Sequence, residues 1–220
     1  MKFISLLLVS LFIFSCGTDK VIQLPEISHS DISEINDVSA AYLFYDETQP
    51  DSLELNRKNL ISTTNWLVNV DKRLTLKQAI PKIKFLQDKK RNAEMHKNEN
   101  AKNYFTCNDL SRKNLGFIEF TNIFYHQNKN PLLRTEGKLL KINFFSINDI
   151  SITTPYETIS KLNKANFITV LKKATNKTEK TLICCFKEHL TFQDYITLKS
   201  LLLNSNLKNV LIAKDEFIFN

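Results

Sequence analysis

The strongest constraint on the fold is a short unit that occurs twice. Leu74-Thr75-Leu76-Lys77-Gln78-Ala79-Ile80 aligns without gaps to Leu190-Thr191-Phe192-Gln193-Asp194-Tyr195-Ile196. Upstream, Leu67 to Val70 aligns to Ile183 to Phe186 at the same offset. Each copy reads as an apolar strand, a charged turn, a Leu-Thr cap and a helix, with a further strand after it. Such units also arise by chance, so duplication makes a specific claim: residues 67–86 and 183–202 should form the same strand-turn-helix.

The remaining elements follow from local pattern. Ala40 to Tyr45 is β-prone, and Leu60-Ile61 and Trp66 to Val70 read as further short strands. Thr75 with Gln78 forms a capping box, and Leu76, Ala79, Ile80, Ile83 and Leu86 recur at helical spacing, with Pro81 predicting a kink or a broken first turn. Gln87 to Asn103 is rich in Lys, Asn and Glu and reads as a solvated helical extension or a mobile loop. Gly116 to Tyr125 and Leu139 to Phe145 read as strands, with a linker around Pro131 between them. Thr154-Pro155-Tyr156-Glu157 predicts a second helix start, with Ile159, Leu162, Phe167, Val170 and Leu171 as its apolar face. The chain then reads strand at Thr181 to Phe186, helix at Thr191 to Leu203, strand at Asn209 to Ala213 and a short strand at Phe217 to Phe219. The expected class is α/β (α+β), with short sheets flanked by helices in two similar halves, 39–128 and 138–220.

The first residues specify an address. Met-Lys, the apolar run Phe3 to Phe14 and Ser15 describe a secretory signal peptide over 1–15. The run is short of the about 20 apolar residues that span a bilayer. With Ile13-Phe14-Ser15 before it, Cys16 resembles the lipobox cysteine of bacterial lipoproteins. That resemblance implies cleavage before Cys16, acylation of its sulfur and new amine, and a stable lipid anchor. Residues 16–38 then read as a flexible tether. In enteric lipoproteins an aspartate after the cysteine favours inner-membrane retention; Gly17 stands there, which points to the outer membrane rather than the inner.

Composition narrows the chemistry. Sixteen phenylalanines can supply a real core, and the three glycines, Gly17, Gly116 and Gly137, exclude glycine-rich phosphate loops and dinucleotide fingerprints. A net charge of +7 in an exported chain suits an anionic membrane or cell-wall polymer rather than nucleic acid, although a lysine-rich solvated surface explains it better than either. Cys107, Cys184 and Cys185 remain after Cys16, an odd number, so at most one internal disulfide forms. Cys107 with either Cys184 or Cys185 is the available pairing in an oxidising compartment. Adjacent strand residues point to opposite faces, so one of the pair should be a buried small hydrophobe.

From Lys138 onward the pattern is similar to the periplasmic domain of the ExbD and TolR proteins, small subunits of proton-driven energy-transducing complexes. The pieces are Thr181 to Phe186, Lys187-Glu188-His189, the Leu190 to Ile196 cap and Asn209-Val210-Leu211-Ile212-Ala213. The resemblance implies a fold that dimerises, giving a homodimer, or that binds envelope partners. Family members carry an aspartate in a membrane helix for proton coupling, whereas Phe3 to Phe14 has no acid. No residue inherits that role, so a motor function is not expected.

No catalytic or metal-binding motif is present. His29, His96, His126 and His189 lie far apart, and none has a histidine or cysteine one helical turn after it. Asp46-Glu47 and Asp71 end strands, where hydrolase carboxylates sit but solvated strand ends also occur. Tyr42, Phe44 and Tyr45 could line a groove, though a core explains them better. The expectation is a non-enzymatic, lipid-anchored envelope protein that needs no cofactor and binds another protein or a wall polymer. The alternative is a small-ligand-binding or hydrolytic lipoprotein, which should have a deep pocket with convergent polar groups; an interaction module should instead expose an apolar patch or a sheet edge.

Overall fold

A computed structural model describes residues 20–93, 98–128, 131, 138–154, 156–175 and 179–220. Cys16, His96 and Pro155 lie outside them. Strand β1 is Glu26–Ile27, β2 Val38–Tyr45, β3 Leu53–Asn56, β4 Asn65–Val70, β5 Asn103–Asp109, β6 Asn114–Glu119 and β7 Phe124–Gln127. Then come β8 Leu139–Ser146, β9 Asp149–Thr153, β10 Thr158–Leu162, β11 Lys180–Lys187 and β12 Val210–Phe219. Helices α1 (Leu76–Arg91), α2 (Phe167–Thr175) and α3 (Phe192–Leu203) complete the fold. The class is the expected one.

The strands form two sheets. The first runs β3-β2-β4-β5, with β2, β4 and β5 parallel and β3 antiparallel to β2. The second runs β9-β8-β11-β12, with β8, β11 and β12 parallel and β9 antiparallel to β8. Each half is therefore a hairpin, a strand parallel to its first arm, a helix and another parallel strand. The halves differ at their margins. β5 also pairs with β6 and the short β1, whereas β12 pairs with β7 and β9 with β10.

The repeated unit meets itself about a local pseudo-twofold axis. Thr75 and Thr191 form an isolated antiparallel bridge. The Leu76 N–H donates to the Leu190 carbonyl at 2.9 Å, and the Phe192 N–H donates to the Leu74 carbonyl at 2.6 Å. One residue further on, the Lys77 N–H reaches the Glu188 carbonyl at 2.9 Å and the Gln193 N–H reaches the Lys72 carbonyl at 3.1 Å. The first N–H groups of a helix have no partner within it. Here each helix satisfies them on the turn of the other half, and its own threonine takes the next: Thr75 Oγ1 accepts from Gln78 and Thr191 Oγ1 from Asp194.

Local chemistry explains most elements. β2 buries Ser39, Ala41 and Leu43 in alternation. In α1 the Gln78 side chain accepts from the Thr75 N–H at 2.8 Å, completing the capping box. Pro81 removes one intrahelical donor, yet the helix continues to Arg91 as one element because Leu76, Ala79, Ile80, Ile83 and Leu86 are all buried along one stripe. One hydrophobic cluster joins both halves. Within it Phe105 of β5 stacks on Phe120 at 3.8 Å and meets Phe192 of α3 edge-on at 5.2 Å.

Several expectations are corrected. Leu60-Ile61 is irregular loop between two turns, not a strand, and the Ile61 carbonyl accepts from Trp66 Nε1 at 2.7 Å. The Gly116 to Tyr125 stretch is two strands in different sheets, β6 and β7. No helix starts at Thr154: its hydroxyl accepts from the N–H groups of Tyr156 and Glu157, which closes the turn between β9 and β10. The helix begins later, at Phe167, where Asn163 and Asn166 exchange side-chain-to-backbone bonds. Residues 210–219 are one strand rather than two. Within the stretch read as a tether, β1 pairs with β5 and Ser30 is buried, so the residues from Lys20 onward are docked on the body.

Candidate functional site

The residues singled out in the sequence do not converge on a reactive centre. Cys107, Cys184 and Cys185 are free, so the disulfide pairing open to Cys107 with Cys184 or Cys185 is not formed. The reason is topological: Cys107 sits on β5 of the first sheet and the pair on β11 of the second. All three are buried, and burial pushes the Cys107 and Cys185 thiols up to about 12 and Cys184 higher still. These are packing thiols, poor nucleophiles near neutral pH. Among the described residues no group of three His, Cys, Asp or Glu side chains could hold a metal.

The strand-end carboxylates have structural partners. Asp46 accepts from Lys20 Nζ at 2.6 Å and from Thr48, which holds its carboxyl at about 2. Lys20 also bonds Glu54. Burial alone would raise the Asp71 carboxyl, but bonds from Arg73 and from the Gln23 N–H outweigh it and leave it lowered. Arg73 lies 4.6 Å over the Tyr45 ring, and the Tyr45 hydroxyl donates to Glu47. Tyr42 and Phe44 are not core residues; they stack at 5.7 Å, half-buried, on the face of β2 opposite Ala41 and Leu43.

The histidines are dispersed. His29 Nδ1 lies 3.1 Å from Ser111 Oγ, but that hydroxyl donates to buried Asp109, which ties down the turn after β5. His126 pairs with Asp215 at 2.5 Å, and His189 is exposed beside Glu188. A buried network that sequence reasoning missed joins β7, α3 and β12. Tyr125 and Tyr195 share a hydroxyl bond at 3.1 Å, Tyr195 donates to Glu216 at 2.7 Å, and Lys199 donates to the other Glu216 oxygen. Glu216 pairs with Cys184 as Phe105 pairs with Val68, so an apolar ring fills the equivalent place in the first half.

The most site-like surface lies between β3 and α1. Among the described residues β3 pairs with β2 alone and is an edge of the first sheet. Alongside it α1 presents Gln78, Lys82, Phe85 and Lys89 at helical spacing. A groove of about 700 Å³ runs over Pro50 to Leu53, Gln78, Pro81 and Lys82. A second of about 460 Å³ runs over Glu54 to Lys58, Leu60 and Lys89. Arg57 lies 5.1 Å over the Phe85 ring between them, and Phe85 remains 45% exposed. Both grooves are open. The signal in the sequence was Arg57-Lys58 and the Lys82, Phe85, Lys89 stripe, but nothing local brings those segments together.

No protein-family model, no curated protein and no solved structure matches this chain. Among the described residues no helix is long and apolar enough to cross a membrane.

Proposed function

We propose that this chain is a lipid-anchored cell-envelope protein of interaction type, held by acylated Cys16 and presenting the β3–α1 surface to a protein partner. The observation that carries the reading is the unpaired edge of β3 beside an exposed basic and aromatic helix stripe. The alternative of a ligand-binding or hydrolytic lipoprotein asks for convergent free polar groups in a deep pocket, whereas here Asp46, Asp71 and Glu54 are committed to ion pairs and the grooves are open. The ExbD-like pattern supports kinship of fold without the proton-carrying role.

The anchor would hold the body close to its membrane. Lys20 is four steps along the chain from Cys16, and a fully extended chain spans ~14 Å over that distance. Lys20 is clamped to Asp46 and Glu54, at the ends of the β2–β3 hairpin. The outer membrane is the proposed destination. Growth with a clickable fatty acid tests the anchor: the wild type should be labelled and Cys16→Ser unlabelled. Labelling of Cys16→Ser would contradict it.

A further inference from the structure

We propose that the β3–α1 surface is a docking groove for an extended acidic segment of a partner protein, taken up as an added strand along β3. This rests on the interaction reading above and names the partner's chemistry and the atoms that meet it.

The backbone supplies the register. In an antiparallel pair, opposed residues alternate between exchanging both hydrogen bonds and exchanging none. The Asp46 N–H donates to the Ser52 carbonyl at 3.0 Å, and this fixes the phase. Glu54 and Asn56 therefore bond back to Phe44 and Tyr42, while the N–H and C=O of Leu55 point away from β2. The outward N–H of Leu53 is already taken by the Pro50 carbonyl within the preceding turn. Pairing by an incoming strand is thus centred on Leu55. Gln78 Nε2 donates to the Asp51 carbonyl at 2.6 Å and ties that turn to α1, so the separation of turn and helix is fixed at one end.

The side chains supply the sign. Lys82 lines one of the two adjoining grooves and Arg57, Lys58 and Lys89 the other, and none forms an ion pair with a carboxylate among the described residues. The neighbouring cations behave differently: Lys77 pairs with Glu188 and Lys84 with Asp88. Of the acids lining the groove, Glu54 is neutralised by Lys20, leaving Asp51 against four cations. An extended peptide places alternate side chains toward the sheet face and toward solvent. Its inward residues would meet Phe85 and Leu55, and its acidic residues Lys82 and Lys89. A two-sided concave groove beside a strand edge suits a peptide better than a flat anionic bilayer.

The test is selection of random displayed peptides against the intact acylated chain in detergent, followed by fluorescence polarisation of the recovered sequences. Recovered peptides should be enriched in Asp and Glu. Their affinity should fall at least about tenfold in Leu55→Pro, which removes the outward donor, and in the Lys82→Glu, Lys89→Glu pair. That exposed charge-reversed pair leaves the core untouched, so it remains informative if Leu55→Pro fails to fold, and it should gain affinity for a basic copy of the same peptide. No acidic enrichment, affinities indifferent to charge reversal, or complete competition by anionic vesicles would overturn the proposal. Acidic binders insensitive to these variants but crosslinked elsewhere on the body would overturn the groove and leave the interaction reading intact. Loss of fatty-acid labelling dependence on Cys16 would overturn the anchor alone.

Discussion

Thr75 and Thr191 sit opposite each other across the local pseudo-twofold axis, each capping its own helix while the turns on either side exchange backbone bonds. Both threonine hydroxyls accept from the equivalent N–H three residues on, so their losses should be similar. Thr75→Ala and Thr191→Ala are each expected to cost about 1 kcal/mol, read from urea unfolding. Both variants should still unfold in one transition by every probe, because the Leu76–Leu190 and Phe192–Leu74 bonds and the shared core couple the halves. Two separated transitions would show that the halves are independent.

Lys90 predicts a pH dependence. Its ammonium is buried against Trp66 and donates to the carbonyls of Thr64 and Lys102 and to Asn103 Oδ1. Burial lowers its pKa from 10.5 to about 8. Between those values the unfolded chain holds a proton that the folded chain has released, so stability rises with pH across that window. The rise is at most about 3 kcal/mol. The difference in urea stability between wild type and Lys90→Met should grow from pH 8 to pH 10.5, in favour of the wild type; a flat difference would contradict the assignment.

The buried Lys199–Glu216 pair should be costly to halve and cheap to remove. Lys199→Met leaves the Glu216 charge beside Tyr195 in the core, an expected loss of about 3–5 kcal/mol. Adding Glu216→Gln should recover much of that loss, as measured by a double-mutant cycle in urea. A double-variant loss equal to the sum of the two single losses would mean that the pair is not energetically coupled.

Gly116 stands where β6 passes closest to the N-terminal segment. A Cβ there would lie 2.8 Å from Ser30 Cβ and 3.2 Å from Asp109 Cβ. Ser30 is fixed in place, since its N–H donates to Asp109 and its hydroxyl to the Phe117 carbonyl. Gly116→Ala should therefore destabilise by about 1–3 kcal/mol, lowering the melting temperature. An unchanged melting temperature would show that the segment around Ser30 yields easily.

The parts of the fold read correctly from sequence are those whose cause is local. Thr75 with Gln78, the alternation in β2 and the apolar stripe of α1 each specify their element within a few residues. Thr154 shows the limit, because a hydroxyl followed by free N–H groups closes a β-turn as readily as it caps a helix. β5 was missed because Asn103, Thr106 and Asp109 interrupt its pattern, and the burial of Asn103 and Asp109 is resolved by distant partners: Lys90 and Thr121 for Asn103, Ser30 for Asp109. The β3–α1 groove was invisible for a related reason. Arg57 and Phe85 meet only because the sheet order leaves β3 at an edge next to α1.

The central claim is that this edge docks a protein partner, and site-specific photocrosslinking in intact cells tests it most directly. A photoreactive residue at Asn56 or Lys82 should yield one discrete adduct whose mapped peptide is acidic and extended. The same residue at Lys173, on α2 of the other half, should yield none. Adducts of equal yield at all three positions, or only at Lys173, would contradict the account.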